Sequence, residues 1–230
     1  MNIRILHLLE GARAARGTAV VIDVFRAFSL ECYLTAAGVR DILPVADAET
    51  ARRLGAAHPD WVLAGERHGF RLPGFALGNS PAKLAGLDLA GKTVVHTTSA
   101  GTQGIENARG ADRILTGSLV NAAAIARYLR AAQPETVSLV CMGIEMREIA
   151  PEDLLCAEYI RALLLDKPLD VRPRAAALRE TSGARFFLPD QQEDCPSRDF
   201  TLCTDVDRFP FVLEIVRDGA GLCHARRIDV

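Results

Sequence analysis

Short apolar, β-branched runs alternate along this chain with amphipathic stretches rich in alanine, leucine and arginine. The apolar runs predict strands at residues 19–25, 41–45, 61–65, 92–98, 112–117 and 136–143. The amphipathic stretches predict helices at residues 30–38, 47–58, 101–110, 121–133 and 152–165. This alternation favours an α/β fold of three layers, α/β/α, in which helices cover both faces of a mixed, largely parallel sheet.

The alternation weakens after Asp166. Residues 189–210 are polar and rich in turn-forming residues, whereas residues 211–230 predict a strand, a glycine-containing turn and a final short strand. We find neither an internal repeat nor a low-complexity linker. We therefore expect residues 1–230 to form one continuous domain.

The composition is that of an ordinary soluble globular protein, with 49% hydrophobic and 24% charged residues among 230. The net charge of −2 and the lack of a lysine and arginine cluster argue against a nucleic acid or an anionic membrane as partner. We expect a small molecule as the partner, and the sequence leaves assembly into a homo-oligomer open.

The sequence favours a cytoplasmic location. No apolar run approaches the roughly 18 residues that predict a membrane span, and the first ten residues lack the pattern of a signal peptide. The six cysteines are scattered without a CxxC pair, which fits reduced thiols in a reducing compartment.

The first candidate site follows the apolar run 19–25, which brings Asp23 to the carboxyl end of a predicted strand, with Arg26 three residues on. Ligands bind at this edge of open α/β sheets, and the pair suggests a metal ion beside an oxyanion. A structural salt bridge is the alternative. A haloacid-dehalogenase mechanism requires a second aspartate at position 25, where this chain has Phe25.

A second polar cluster follows the predicted strand 61–65. Glu66 offers another carboxylate for a metal, and Arg67 offers another guanidinium for an oxyanion. Farther along, Asn79 and Ser80 precede a proline, where ligand contact and a turn or capping role are both open.

The third cluster lies between a predicted strand and a helix. Hydroxyl groups and backbone amides around a glycine at a helix N-terminus form an anion cradle, and three hydroxyls exceed what one helix cap needs. The lysine of a nucleotide-binding P-loop is missing, so a nucleoside triphosphate is not implied. The cradle residues are Thr97, Thr98, Ser99, Gly101 and Thr102.

Two further pairs are typical of helix N-termini. Ser118 is a natural N-cap with Asn121 three residues on, and Glu152 and Asp153 follow a proline in a predicted first turn. Each pair has a structural interpretation, so the residues alone do not decide for ligand binding.

One motif has the residue spacing of a different enzyme class, the cysteine phosphatases. Cys141 and Arg147 have the CX5R spacing of cysteine phosphatases. Residue 140 is valine instead of histidine, and Glu145 would place a negative charge inside the anion cradle. We therefore interpret Cys141 as a core residue rather than a nucleophile.

As an ordered set, these motifs resemble the 2-phosphosulfolactate phosphatase family of coenzyme M biosynthesis. The resemblance covers roughly residues 18–165 well and the C-terminal part more loosely. The motifs that carry it are IDVFRA, AGERHG, GNSP, TTSAGT, TGSLVNA and PEDLLCAEYI. The chain departs from the family pattern at Phe28, at Ala100 and around MGIEMREIAPED, which puts the exact substrate in question.

The resemblance implies a magnesium-dependent phosphatase acting on the phosphate monoester of a small α-hydroxy acid, 2-phosphosulfolactate above all. Asp23, Arg26 and Glu66 match motif residues of the family, and we predict that they are catalytic. We expect Mg²⁺ ligands among Asp23, Glu66, Glu152 and Asp153. The substrate-binding residues that we predict are Arg67, Asn79, Ser80, Thr97, Thr98, Ser99, Gly101, Thr102, Ser118 and Asn121.

In the resulting hypothesis, Arg26 and the 97–102 loop hold phosphoryl oxygens while Mg²⁺ neutralises charge. Arg67 or Arg147 would hold a second carboxylate or sulfonate of the substrate. The nucleophile is open between a water on the metal, Asp23 and a loop hydroxyl, and we favour water because no base is placed beside a hydroxyl in the sequence.

Three rival interpretations stay open. The same cradle could belong to a non-catalytic binder of a phosphorylated metabolite. The substrate could be a different phosphorylated acid. A cysteine-dependent phosphatase using Cys141 would work without a metal.

Overall fold

The computed structural model describes residues 1–230 as two sheets with flanking helices. The strands are β1 (Asn2–His7), β2 (Thr18–Ile22), β3 (Asp41–Pro44), β4 (Val62–Arg67), β5 (Phe70–Arg71), β6 (Thr93–Thr97), β7 (Arg113–Gly117), β8 (Thr136–Cys141), β9 (Phe211–Arg217) and β10 (Cys223–Asp229). The helices are α1 (Leu8–Arg13), α2 (Ala27–Ala36), α3 (Ala48–Ala57), α4 (Gly101–Asn107), α5 (Ala122–Ala132), α6 (Pro151–Leu164), α7 (Val171–Ala177) and α8 (Ser197–Cys203).

The larger sheet has the strand order β1-β8-β2-β7-β9-β10. Its first four strands are parallel, and β9 and β10 are antiparallel additions at one edge. The smaller sheet has the order β3-β6-β4-β5, in which only β5 is antiparallel. The predicted α/β class with mixed, largely parallel pairing and helices on both faces is confirmed, and the strands are divided between two sheets.

The sequence of β2 shows why the larger sheet is covered on both faces. All five residues of this strand are buried. Val20 and Ile22 pack toward α5, α6 and the C-terminal segment, whereas Ala19 and Val21 pack toward α1 and α4. A strand covered on both sides is an unbroken apolar run, which explains the pattern at residues 19–22.

Apart from the two-residue strand β5, the elements that the sequence did not predict lie toward the two ends of the chain. Strand β1 pairs with β8 at the sheet edge, and the alternation of Ile3 and Ile5 with polar residues was a signal for it. Helices α7 and α8 lie in the polar segment after Asp166. That segment buries Phe186 and Phe200 in the main core.

The two sheets direct their strand ends toward one region. The loops after β2 and β8 of the larger sheet meet those after β4 and β6 of the smaller one, and residues from all four line a common cavity. This is the edge at which open α/β sheets bind ligands. None of the helices combines the length and apolar character needed to cross a bilayer.

Candidate active site

A cavity of about 210 Å³ lies between the strand ends of the two sheets. Only four of its 16 lining residues are hydrophobic, so it suits a small polar ligand. Of the residues predicted from sequence, the structure brings together Asp23, Arg26, Glu66, Asn79, Ser99, Glu152 and Asp153 around it.

Asp23 enters the cavity directly after β2. Its Oδ2 accepts a hydrogen bond from the amide of Gly101 at 2.9 Å, and its Oδ1 accepts one from Ala27 at 3.4 Å. A Cβ atom on residue 101 would stand 2.8 Å from Asp23 Oδ2. Glycine at position 101 therefore allows the start of α4 to approach the carboxylate.

Asp153 connects two loops from the first turn of α6. Its Oδ1 accepts from the amide of Val24 and its Oδ2 accepts from the amide of Gly143, both at 2.9 Å. The loops after β2 and β8 are thereby fixed to one carboxylate. The neighbouring Glu152 differs, because its buried Oε2 has no hydrogen-bond partner.

Glu66 makes the corresponding connection in the smaller sheet. Its Oε1 accepts from the amide of Ser99 at 2.7 Å, and its Oε2 accepts from the amide of Gly69 at 2.7 Å. The Ser99 hydroxyl also donates to Oε2 at 3.2 Å. The structure thus places a hydroxyl beside a carboxylate, a pairing that the sequence did not reveal.

Three of the cavity's carboxyl groups have raised pKa values. Burial, followed by the charge of Glu66, raises the pKa of Asp23 from 3.8 to about 7. Burial, followed by the charge of Asp23, raises the pKa of Asp153 well above its usual value, and burial also raises the pKa of Glu152. The cavity therefore concentrates negative charge that a cation would relieve.

The donor set fits Mg²⁺. Carboxylate oxygens are the hard ligands that this ion takes, and Glu152 Oε2 is an unpartnered buried acceptor. No three acidic, histidine or cysteine side chains form a closed metal cage. Protein sites for Mg²⁺ commonly use one or two carboxylates, with water and substrate oxygens completing the shell.

Arg26 is both a cavity residue and part of a buried ion pair. Its Nη1 donates to Asp199 Oδ2 at 2.8 Å, and its Nη2 donates to the carbonyl of Gly69 at 3.0 Å. Asp199 is fully buried, and its other oxygen accepts from the Ser80 hydroxyl and the Ala82 amide. The two roles considered for Arg26, a place in a metal and oxyanion site and a structural salt bridge, are thus compatible.

Arg185 is a second cation of the cavity, from the C-terminal segment. Its Nη2 donates to the carbonyl of Phe25 at 2.9 Å, and its buried Nε has no partner. The two arginines suggested from sequence for a second acid group lie elsewhere. Arg67 donates to the carbonyl of Glu66 and to the hydroxyl of Thr97, and Arg147 is exposed outside the cavity lining.

The predicted anion cradle is arranged differently from the expectation. The Thr98 amide donates to Thr102 Oγ1, and the Thr102 amide donates to Thr98 Oγ1, so the two threonines cap α4 reciprocally. The Gly101 amide is already donated to Asp23. Neither these groups nor Thr97 line the cavity, which is bordered at this loop by Ser99 and Ala100.

Ser80, Ser118 and Asn121 are also buried within the protein rather than in the cavity lining. Ser118 and Asn121 form a capping box: the Ser118 side chain accepts from the Val120 amide, and Asn121 Oδ1 accepts from the Ser118 amide. Their geometry is that of a helix cap.

Comparisons with known proteins give the family of this chain. Residues 4–218 match the family model described as 2-phosphosulpholactate phosphatase. The chain belongs to this family. The resemblance seen in the motifs, and with it the assignment to a family of phosphoric monoester hydrolases, is confirmed.

Several relatives have the printed name "Probable 2-phosphosulfolactate phosphatase". The protein of Caldicellulosiruptor saccharolyticus is 39% identical over 157 residues, which span 66% of this chain and 64% of that relative. The protein of Bacillus subtilis is 30% identical over 87% of both chains. The protein of Prochlorococcus marinus is 31% identical over 89% of this chain and 91% of its own length.

Cys141 does not line the cavity. It is the last residue of β8, is 1% exposed in the core, and burial raises the pKa of its thiol. A raised pKa disfavours the thiolate that nucleophilic attack needs. The interpretation of Cys141 as a core residue is confirmed.

We predict that the metal-free protein loses stability as pH rises toward neutrality. The folded-state pKa of Asp23, about 7, exceeds its ordinary value of 3.8, so the unfolded chain releases this proton first. This group alone lowers the free energy of unfolding by about 2 kcal/mol between pH 5.5 and 7. Thermal unfolding in EDTA at a series of pH values measures this loss of stability. Asp23→Asn should flatten the dependence of stability on pH, and an unchanged dependence would contradict the raised pKa of Asp23.

We also predict that Asp199→Ala strongly destabilises the fold. The substitution leaves the Arg26 guanidinium buried without its counter-charge, which costs about 3–5 kcal/mol in urea unfolding. Asp205→Ala is the matched control, because Asp205 pairs with Arg208 at the exposed surface of the same segment. It should cost less than about 1 kcal/mol. Equal losses in the two variants would refute the structural importance of the buried pair.

Proposed function

We propose that this chain hydrolyses the phosphate monoester of a small α-hydroxy acid with the help of Mg²⁺, and that 2-phosphosulfolactate is the substrate. The products would be sulfolactate and inorganic phosphate. The main observation behind this proposal is that four buried carboxylates and two arginines converge on one small polar cavity at the strand ends. The names of the relatives support the substrate.

The metal would be held by carboxylates drawn from Asp23, Glu66, Glu152 and Asp153. Mg²⁺ supplies neutralisation of the charge on the phosphoryl oxygens. Backbone amides fix both oxygens of Asp23, Glu66 and Asp153, so these side chains are oriented before a ligand arrives. Fixed orientation avoids reorganisation when charge develops in the transition state.

Arg26 would hold the phosphoryl group. A guanidinium has five N–H donors, and three of those in Arg26 donate to protein oxygens of Asp199, Asp194 and Gly69. The remaining two are free for a ligand in the cavity. The ion pair with Asp199 fixes the position of the guanidinium, which suits recognition of a planar set of oxygens.

Water is the nucleophile in this proposal. Ser99 has the one hydroxyl among the cavity-lining side chains, but it donates to Glu66 together with its own backbone amide. That double contact makes Ser99 a support for the Glu66 carboxylate.

Arg185 would bind the second acid group of the substrate. Among the arginines considered for this role, it is the one that lines the cavity, and its unpartnered Nε is a buried donor that a sulfonate or carboxylate oxygen would satisfy. This assignment replaces Arg67 and Arg147, whose side chains point to other partners or to solvent.

The same proposal includes a cytoplasmic location and a place in coenzyme M biosynthesis. All six cysteines are free and buried, which suits a reducing compartment. The pathway follows from the proposed substrate alone.

The central prediction is phosphate release from 2-phosphosulfolactate in Mg²⁺ but not in EDTA. A panel of other phosphorylated α-hydroxy acids, assayed in parallel, ranks the substrates. Asp23→Asn should lower kcat at least about a hundredfold because it removes a charge from the site. Asp88→Asn, on an exposed loop, is the control. Binding of the panel without turnover would indicate a non-catalytic receptor and overturn the proposal.

Arg185→Gln should raise KM for 2-phosphosulfolactate about tenfold or more, through loss of a charge-assisted hydrogen bond. KM for 4-nitrophenyl phosphate, which lacks the second acid group, should change little. Arg147→Gln is the control and should leave both values within about twofold. A parallel loss with both substrates would assign Arg185 to the phosphoryl group instead.

A further inference from the structure

A chain of three buried polar side chains leads from α2 to the cavity. Glu31 Oε1 lies 2.9 Å from His96 Nδ1, and His96 Nε2 lies 2.9 Å from Asn79 Oδ1. Glu31 and His96 are fully buried, and Asn79 lines the cavity. Of these three, only Asn79 is a residue that the family motifs mark.

His96 faces an oxygen acceptor with each ring nitrogen. A neutral imidazole has one N–H donor, so it can satisfy only one of these contacts, whereas the imidazolium donates to both. With an ionised Glu31 and the Asn79 amide in this orientation, the geometry around His96 corresponds to the doubly protonated ring. The ring then donates to the Glu31 carboxylate on one side and to the Asn79 carbonyl oxygen on the other.

The burial of Glu31 points to the same state. A counter-charge stabilises a buried carboxylate, and His96 is the one basic side chain that hydrogen-bonds to Glu31. The second oxygen of this carboxylate, Oε2, has no hydrogen-bond partner. The pairing with His96 is therefore the neutralising contact for this charge.

This pair decides which end of the Asn79 amide faces the ligand. With Oδ1 held by His96, the Nδ2 group is the free end, and it donates to no protein acceptor. The reversed amide would present an oxygen acceptor to the cavity, which disfavours an anionic substrate. A donor at this position suits an acid oxygen.

We propose that Glu31 and His96 are positioning residues that hold the Asn79 amide with Nδ2 toward the cavity, where it donates to an acid oxygen of the substrate. This inference rests on the proposed phosphatase function. Asn79 is the group that touches the substrate, and Glu31 and His96 act through it.

The charge state of His96 is tested without activity. Nitrogen NMR of the full-length chain labelled at histidine should show both ring nitrogens of His96 protonated at neutral pH. His96→Gln identifies its signals among the five histidines. Glu31→Gln removes the counter-charge and should convert the ring to the neutral form. A neutral ring in the unmodified protein would overturn the inference.

The positioning role is tested by kinetics with 2-phosphosulfolactate and Mg²⁺. Asn79→Ala and Glu31→Gln should each raise KM about tenfold or more, with a smaller change in kcat, because a hydrogen bond to a charged group is lost or misdirected. His58→Gln is the control, since His58 is exposed and stacks on Trp61. Circular dichroism verifies that the variants fold.

The outcomes separate this inference from the function on which it rests. No phosphate release by the unmodified chain would refute the proposed function, while the NMR result would still decide the state of His96. Turnover in the unmodified chain with unchanged KM in both Asn79→Ala and Glu31→Gln would refute the positioning role alone. A rise in KM for Asn79→Ala but not for Glu31→Gln would also refute it, since Asn79 would then act without the pair.

Discussion

The structure of the site depends on the burial of several carboxylates within one small cavity. Like charges in a desolvated space repel, and the raised pKa of Asp23, about 7, expresses that cost. The chain compensates with backbone amides: those of Gly101, Ser99 and Gly143 each donate to a different carboxylate. The amides of Ser99 and Gly101 follow β6, and that of Gly143 follows β8. Because the carboxylates that they satisfy come from other elements, these hydrogen bonds fix the relative positions of the loops.

The C-terminal segment completes this arrangement from the outside. Phe25 packs against Phe186 and Phe200, with ring centroids 5.1 Å and 5.9 Å apart. The same segment supplies Asp199 to the buried Arg26. The loop between β2 and α2 is thus held by apolar contacts at Phe25 and by charge at Arg26. The C-terminal segment, although its sequence is polar and turn-rich, therefore holds the β2–α2 loop of the site in place.

The sequence could predict those parts of the site that depend on residues close to one another in the chain. A buried strand followed by Asp23 is visible in a few consecutive residues, and so is a proline before Glu152. Asp199 is 173 residues from Arg26, and no local pattern connects them. For the threonines, a local pattern was visible but led to the wrong arrangement. A count of hydroxyls cannot distinguish an anion cradle from the reciprocal cap that Thr98 and Thr102 form.

The charge balance also constrains how an anion can use this cavity. Two guanidinium groups, those of Arg26 and Arg185, face five carboxyl groups, of which four are buried. Arg26 is already neutralised by Asp199, which leaves Arg185 as the main unpaired positive charge. A phosphate ester with a second acid group would meet net repulsion wherever the carboxyl groups are ionised. In the proposed function, an added cation relieves this repulsion, and the same crowding that raises the pKa of Asp23 favours its binding.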